Sequence, residues 1–243
     1  MIEFENTAII ITAKMSGQPL LGRPMVDISG KPLVLRAVEK AEEAKLGKVF
    51  VATSENVVAE AAKAGGADAL MSAPILKAEG DMAEAILALR DKDQTFQQVL
   101  IIPCQLAMSD SLPLRLCLSG LMNKGVGVAT LASPVAMALI GQVLVDAPLM
   151  GERDVAYLRG LKQADEGDNG RPALLHVPIY AWSRSALATF AAHKRVSAED
   201  ASGLELRRAL AADQKCAVIK IDIAPLSVDT PQDLEALRRH WKA

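Results

Sequence analysis

Scarcity narrows this chain's options first. Only 3% of its 243 residues are aromatic, so aliphatic side chains must fill the core that a 51% hydrophobic content implies. An excess of positive charge is missing too: the formal net charge is −2, which argues against a nucleic-acid binder working through a basic field. The three cysteines, Cys104, Cys117 and Cys216, form no CxxC or other ligand spacing. An odd, sparse set in a chain of this length predicts reduced thiols of a cytoplasmic protein, not a disulfide framework. No secretory leader is expected, because Glu3 and Glu5 open the chain and the apolar run Ala8–Ile11 is too short for one. Residues 126–145 carry no charge, but Ser133-Pro134 and Gly141-Gln142 break the run. Its β-branched residues predict two buried strands flanking a loop or short helix, with no membrane contact.

What is present is an alternation of apolar strands and amphipathic helices. After a first strand and a long loop, Val34, Val38, Ala41 and Ala44 recur at helical spacing, with Arg36, Glu39, Lys40, Glu42 and Glu43 on the wet face. Gly47 is expected to stop that helix before the strand KVFVAT; a helix from Glu55 to Gly65-Gly66 and a short strand Ala69–Met71 follow. The pattern continues with helix Asp81–Arg90, strand Gln98–Ile102, helix Pro113–Lys124 and strand Val126–Leu131. From about 148 to 172 it fails, and Ala164 to Arg171 read as an exposed polar loop. Strand Ala173–Trp182, helices near Ser183–His193 and Ala201–Ala211, strand Lys215–Ile221 and a terminal helix from Pro231 complete the chain. The order predicts one α/β domain over 1–243 with a mainly parallel, doubly wound sheet and an irregular or inserted subregion at about 133–200. Ligands of such sheets sit beyond the carboxyl ends of the strands, here the loops after Ile11, Thr53, Met71 and Ile102. Gly125-Val-Gly127 lacks a third glycine and opens no helix, which argues against a dinucleotide fingerprint.

The loop after Ile11 is the richest in chemistry. IIITAKMSGQPLLGRPMVDISGKP (Ile9 to Pro32) delivers a glycine-containing loop with Lys14 and Arg23 toward a helix start. Backbone N–H groups, a helix dipole and cationic side chains together hold phosphates. The loop is also longer than the two to six residues usual for a βα connection. An ordinary surface loop is the competing reading.

The segment resembles the signature loop of sugar cytidylyltransferases, in particular the CMP-KDO synthetases (3-deoxy-manno-octulosonate cytidylyltransferases), whose pattern is IIPARxxSxRLPGKPLxxIxGKPL. Lys14 falls on the family's first Arg, Gly22 on its Gly, Arg23 on its Lys, and Gly30-Lys31-Pro32 on the second GKP. VATSENVVAEAAKAGGADALMS, LLHVPIYAW, SGLELRRAL and SVDTPQDLEAL extend the resemblance over nearly the whole chain. It implies a nucleotide-diphospho-sugar transferase (Rossmann-like) fold and a cytoplasmic homodimer serving lipopolysaccharide biosynthesis. The reaction implied is transfer of a cytidylyl group from CTP to an eight-carbon sugar acid, with release of pyrophosphate. Lys14 and Arg23 would be catalytic, and Ala13, Lys14, Gly22, Arg23 and Gln105 would bind nucleotide. His176, Tyr180 and Glu205 would contact the sugar acid, and Asp229 would hold Mg²⁺.

Each residue has a plainer reading. Thr230-Pro231 is a helix start, with an N-cap followed by proline at N1. His176 fits a hydrogen-bonded core imidazole, Tyr180 a half-buried core ring, and Glu205 a solvated helix face beside Arg207 and Arg208. Cys104 at a strand end reads as a small buried hydrophobe. Within the signature loop Gln18-Pro19 replaces the family's hydroxyl-Arg pair and Leu21 its first Pro, and two later segments depart as well. IPCQLA (Ile102 to Ala107) stands for VQGDEP, so Gln105 occupies the place of a metal-binding Asp; LKAEGDM (Leu76 to Met82) stands for HQSGTER and loses its hydroxyls. Glu79, Asp81 or Asp110 are the carboxylates that could substitute. The alternatives to a working transferase are a repurposed paralogue that binds nucleotide or sugar acid without the transfer, and a dinucleotide enzyme.

Overall fold

The computed structural model describes residues 6–15, 20–71, 96–108, 110–135, 143–147, 155–165, 170, 172–194, 196–197 and 205–241. The chain divides into two compact units, residues 1–112 with 225–243, and residues 113–224. In chain order the first unit holds β1 (Thr7–Thr12), β2 (Asp27–Ile28), β3 (Lys31–Pro32), α1 (Leu33–Ala44), β4 (Lys48–Thr53), α2 (Asn56–Ala64), β5 (Asp68–Met71), β6 (Gln98–Pro103) and β7 (Leu106–Ala107). The second holds α3 (Leu112–Ser119), β8 (Val128–Val135), β9 (Val143–Asp146), β10 (Val155–Tyr157), β11 (Gly160–Gln163), β12 (Ala173–Ser183), α4 (Arg184–Ala192), α5 (Leu206–Ala211) and β13 (Cys216–Lys220). The chain then returns to the first unit with β14 (Leu226–Ser227) and α6 (Pro231–His240).

The sheet of the first unit is parallel throughout, in the order β6-β1-β4-β5. Every residue of β1 is buried, as an aliphatic run between two parallel neighbours requires. After β1 the chain steps outward to β4 and β5, and then crosses back to place β6 on the other side of β1. That reversal makes a switch point at the carboxyl ends of β1 and β6, where open α/β sheets leave a crevice. α1 buries Leu33, Val34, Ala37, Val38, Ala41 and Ala44, the face the periodicity predicts. A second small core gathers Ile28, Leu33, Ala107, Val228, Leu234 and Leu237, so α6 closes the unit against β2, α1 and β7.

The second unit is mixed. β13 runs parallel to β8, whereas β12 is antiparallel to β8 and β10 antiparallel to β13. β9 pairs with both β11 and β12.

Several expectations change in detail. The residue that ends α1 in the left-handed conformation is Lys45 (φ 49°), not Gly47. The helix read over Pro113–Lys124 is α3 followed by a 3₁₀ turn, Gly120–Met122. Ser133-Pro134 does not interrupt a strand but lies inside β8, where Pro134 is exposed and its missing N–H costs little. The irregular stretch 148–172 contains β10 and β11, strands of three and four residues that are too short to show an alternating pattern. Of the second expected helix in that half, only Leu206–Ala211 is described, and helix Asp81–Arg90 falls outside the described residues.

Gly47 is needed for a different reason. With φ 153°, a Cβ there would sit 2.0 Å from the Thr7 carbonyl oxygen, so only glycine lets the chain pass β1. Gly47→Ala is expected to cost about 2 kcal/mol or more in urea unfolding, and a loss below about 0.5 kcal/mol would contradict this contact.

Candidate active site

The switch point brings the first group of predicted residues together. Thr12 of β1 is in register with Pro103 of β6, and the Cys104 N–H donates to the Thr12 carbonyl at 3.0 Å. Ala13 donates its own N–H to Ala52 of β4 at 3.0 Å. Ala13-Lys14 and Cys104-Gln105 therefore leave adjacent strand ends side by side. The Thr12 hydroxyl, on a residue only 2% exposed, is one of the buried polar atoms without a hydrogen-bond partner among the described residues.

The loop beyond Lys14 is closed by Gly22, whose N–H donates to Met15 at 3.0 Å. Gly22 has φ 69°, a left-handed conformation that favours glycine, and it caps the 3₁₀ turn Arg23–Met25. That turn aims Arg23 at the C-terminal segment. Its Nη1 donates to Asp229 Oδ1 at 2.7 Å, with the arginine side chain 15% and the aspartate 47% exposed. Ser227 Oγ donates to the other oxygen, Oδ2. Asp229 is fixed in turn by its backbone N–H, which donates to Asp233 Oδ2 at 3.1 Å. Asp233 and Thr230 form a reciprocal capping box at the start of α6, with Pro231 at N1, so the plain reading of that helix start holds as well.

Gln105 joins the same cluster through the backbone. β7 pairs with β14, and the Val228 N–H donates to the Gln105 carbonyl at 2.9 Å, one residue from Asp229. Gln105, which the resemblance sets at a metal-binding position, thus lies beside Asp229. The described donors do not fit a Mg²⁺ site built by the protein. Gln105 offers a neutral amide, and both carboxylate oxygens of Asp229 are engaged by Arg23 and Ser227. Among the described residues no cluster of three or more His, Cys, Asp or Glu could hold a metal. Asp110 instead accepts the Leu112 N–H at 2.8 Å at the start of α3, and Glu79 and Asp81 lie outside the described residues. A Mg²⁺ would have to bring most of its ligands as phosphate oxygens and water.

The second group lies in the second unit. His176 on β12 is 7% exposed, and its Nε2 lies 3.1 Å from Thr130 Oγ1 on β8, so the imidazole is buried and hydrogen-bonded. Burial holds the imidazole down at about 4, well below its ordinary 6.5. The Tyr180 ring sits 5.6 Å from the His176 ring, half-buried. Glu205 overturns the solvated-face reading: it is buried and precedes α5, and Arg208 is buried with its guanidinium 4.3 Å over the Phe190 ring. Arg207 donates to the Leu161 carbonyl.

Cys104, Cys117 and Cys216 are free and buried, and burial pushes the thiols of Cys117 and Cys216 up, away from reactivity. Gly125 and Gly127 lead into β8 and line an open cleft of about 460 Å³ with Ser183, Ser185 and Lys215. None of the predicted site residues lines it. Thr130 and Ser227 are the polar contacts that sequence reading missed. A lone hydroxyl inside the apolar run VGVATLA was the available signal for Thr130, and nothing in the spacing pointed to Ser227.

A family model described as cytidylyltransferase matches residues 8–105, the stretch carrying Ala13, Lys14, Gly22, Arg23 and Gln105. The chain is 32% identical over 241 residues to the 3-deoxy-manno-octulosonate cytidylyltransferase of Afipia carboxidovorans, covering 96% of each chain. It is 31% identical over 240 residues to the protein of the same name from Rhodospirillum centenum, covering 96% of this chain and 92% of that one. Among solved structures, CMP:2-keto-3-deoxy-manno-octonic acid synthetase complexed with CTP superposes with a TM-score of 0.83 at 22% identity, covering 97% of this chain and 98% of that one. UDP-glucose pyrophosphorylase complexed with UDP-glucose superposes at 0.70 and 11% identity, with 97% of both chains covered. The α/β fold is therefore that of nucleotide-sugar transferases.

The buried imidazole makes a test independent of any ligand. Its folded-state value lies below its unfolded one, so the unfolded chain binds the extra proton first as pH falls. The His176 contribution to stability is complete above pH 6.5 and is lost as pH falls toward 4, at up to about 1.4 kcal/mol per pH unit. Urea unfolding between pH 7 and 4.5 should show a shallower pH slope in His176→Gln than in the wild type. Equal slopes would contradict a buried neutral imidazole.

Proposed function

The chain belongs to the 3-deoxy-manno-octulosonate cytidylyltransferase family, and from that premise we propose that it transfers the cytidylyl group of CTP to 3-deoxy-manno-octulosonate. The observation that carries the reading is the convergence of Lys14, Gly22, Arg23 and Gln105 at the carboxyl ends of β1 and β6, where such sheets bind ligands. In the reaction a hydroxyl oxygen of the sugar acid attacks the α-phosphorus of CTP in line. The bond from that phosphorus to the β-phosphate breaks, pyrophosphate leaves, and the hydroxyl proton passes to solvent. No covalent enzyme intermediate is needed, so catalysis rests on positioning and on cationic stabilisation of the phosphates.

Lys14 and Arg23 carry the phosphate charge, with Asp229 holding the guanidinium in place. Ala13, Gly22 and Gln105 line the nucleotide, and His176, Tyr180 and Glu205 contact the sugar acid. The product is an activated sugar for lipopolysaccharide biosynthesis. A homodimer in the cytoplasm goes with this reading, and three free buried cysteines agree with a reducing compartment. No helix among the described residues is long and apolar enough to cross a membrane.

Purified protein supplied with CTP and 3-deoxy-manno-octulosonate, with and without Mg²⁺, is expected to release pyrophosphate, and UTP or ATP should substitute poorly. Each charge-assisted phosphate contact is worth about 1.5–3 kcal/mol, so Lys14→Ala or Arg23→Ala should weaken CTP binding about tenfold or more in calorimetric titration. No pyrophosphate under either condition, or unchanged affinity in both variants, would contradict the assignment.

A further inference from the structure

The pairing of β8 with β12 contains a polar cluster built by a bulge. Val177 faces Leu131, but the next pair in register is Tyr180 with Thr130, so Pro178 and Ile179 are extra residues on β12. Pro178 has no N–H to give to a ladder, which makes this a natural place for the strand to leave register. The bulge turns two carbonyls onto one side chain. Thr130 Oγ1 lies 3.3 Å from the Val177 oxygen and 3.0 Å from the Ile179 oxygen, and 3.1 Å from His176 Nε2. Thr130 itself is fully buried.

A hydroxyl has one proton and two lone pairs. Were that proton aimed at His176, the Thr130 oxygen would face two carbonyl oxygens at hydrogen-bond distance with no hydrogen between them. Such contacts repel, and burial removes the water that could relieve them. With the proton shared toward the Ile179 and Val177 carbonyls, every contact is matched, provided that His176 donates from Nε2 into a threonine lone pair. The Cys117 thiol lies 3.4 Å from the Ile179 carbonyl and 3.6 Å from that of Ala129, so its one proton is shared between them and the Ile179 oxygen gains a second weak donor.

We propose that Thr130 is a positioning residue that holds His176 as the Nε2–H tautomer, so that Nδ1 presents a lone pair to a hydroxyl of the sugar acid. The substrate half of this inference rests on the function proposed above; the tautomer does not. An imidazole so held recognises a hydroxyl donor and offers no charge to the acid's carboxylate. The neutral state that burial imposes is consistent with that division of labour.

Long-range ¹H–¹⁵N correlation spectra of the ligand-free protein at neutral pH read the tautomer directly, with the His176 ring signals assigned by their loss in His176→Gln. The expected result is Nε2–H in the wild type and in Thr130→Ser, which keeps the hydroxyl, and loss of that single tautomer in Thr130→Val. In steady state, Thr130→Val should raise the KM for the sugar acid about tenfold, the worth of one hydrogen bond, with the KM for CTP changed less than about twofold and Thr130→Ser restoring most of the loss. A wild-type Nδ1–H tautomer or an imidazolium would overturn the inference, as would a shifted tautomer with an unchanged KM for the sugar acid. Wild-type protein with the expected tautomer but no turnover would count against the proposed function alone. The wild-type spectrum needs no variant, so the tautomer is tested even where Thr130→Val does not fold.

Discussion

The contact between Arg23 and Asp229 joins residues 206 positions apart and fixes the far end of the loop that carries Lys14. As a source of stability it is small, because the aspartate is 47% exposed and a pair of that kind contributes about 0–1 kcal/mol. Its importance is geometric. One partner ends the long loop after β1, and the other precedes the last helix. Each is held locally, Arg23 by the left-handed turn at Gly22 and Asp229 by Ser227 and the capping box of α6. The loop therefore has a fixed end, and Lys14 and Arg23 emerge on the side of the sheet where β1 and β6 part.

The same contact bears on charge. Gln105 stands where the related enzymes are expected to carry a carboxylate, and it is hydrogen-bonded through its backbone next to Asp229. With one acid removed and the other paired to a guanidinium, the described donors present more cation than anion to an incoming triphosphate. On the proposed function, a triphosphate would draw Arg23 toward itself and compete with Asp229. Neutrality is also built into the second unit, where burial keeps His176 uncharged and its Nε2 lies 3.1 Å from the Thr130 hydroxyl.

Much of the first unit was legible in the sequence because its signals are local. The run TAIIIT, the 3.6-residue stripe of α1 and Thr230-Pro231 each specify an element within a dozen residues. The parallel sheet followed from their alternation. Where the reading failed, the cause was a contact that no local pattern records. β10 and β11, of three and four residues, are too short to show alternation, and Pro134 is tolerated at an exposed strand end that composition cannot distinguish from a break. Glu205 looked solvent-facing beside two arginines, yet Arg208 is buried against Phe190. The candidate site divides the same way: resemblance singled out Lys14, Gly22, Arg23, Gln105 and Asp229, but only the fold reveals that Arg23 and Asp229 hold each other and that Thr130 faces His176.

If the pair is the organising contact, the two residues must act on CTP binding as a unit. A double-mutant cycle of Arg23→Ala, Asp229→Ala and the combined variant, read as CTP affinity by calorimetry, tests this most directly. The account predicts a coupling of about 1 kcal/mol or more, with Asp229→Ala losing most of its effect once Arg23 is gone. Effects that add within about 0.3–0.5 kcal/mol would mean that the two residues meet the nucleotide independently and that the contact between them organises nothing.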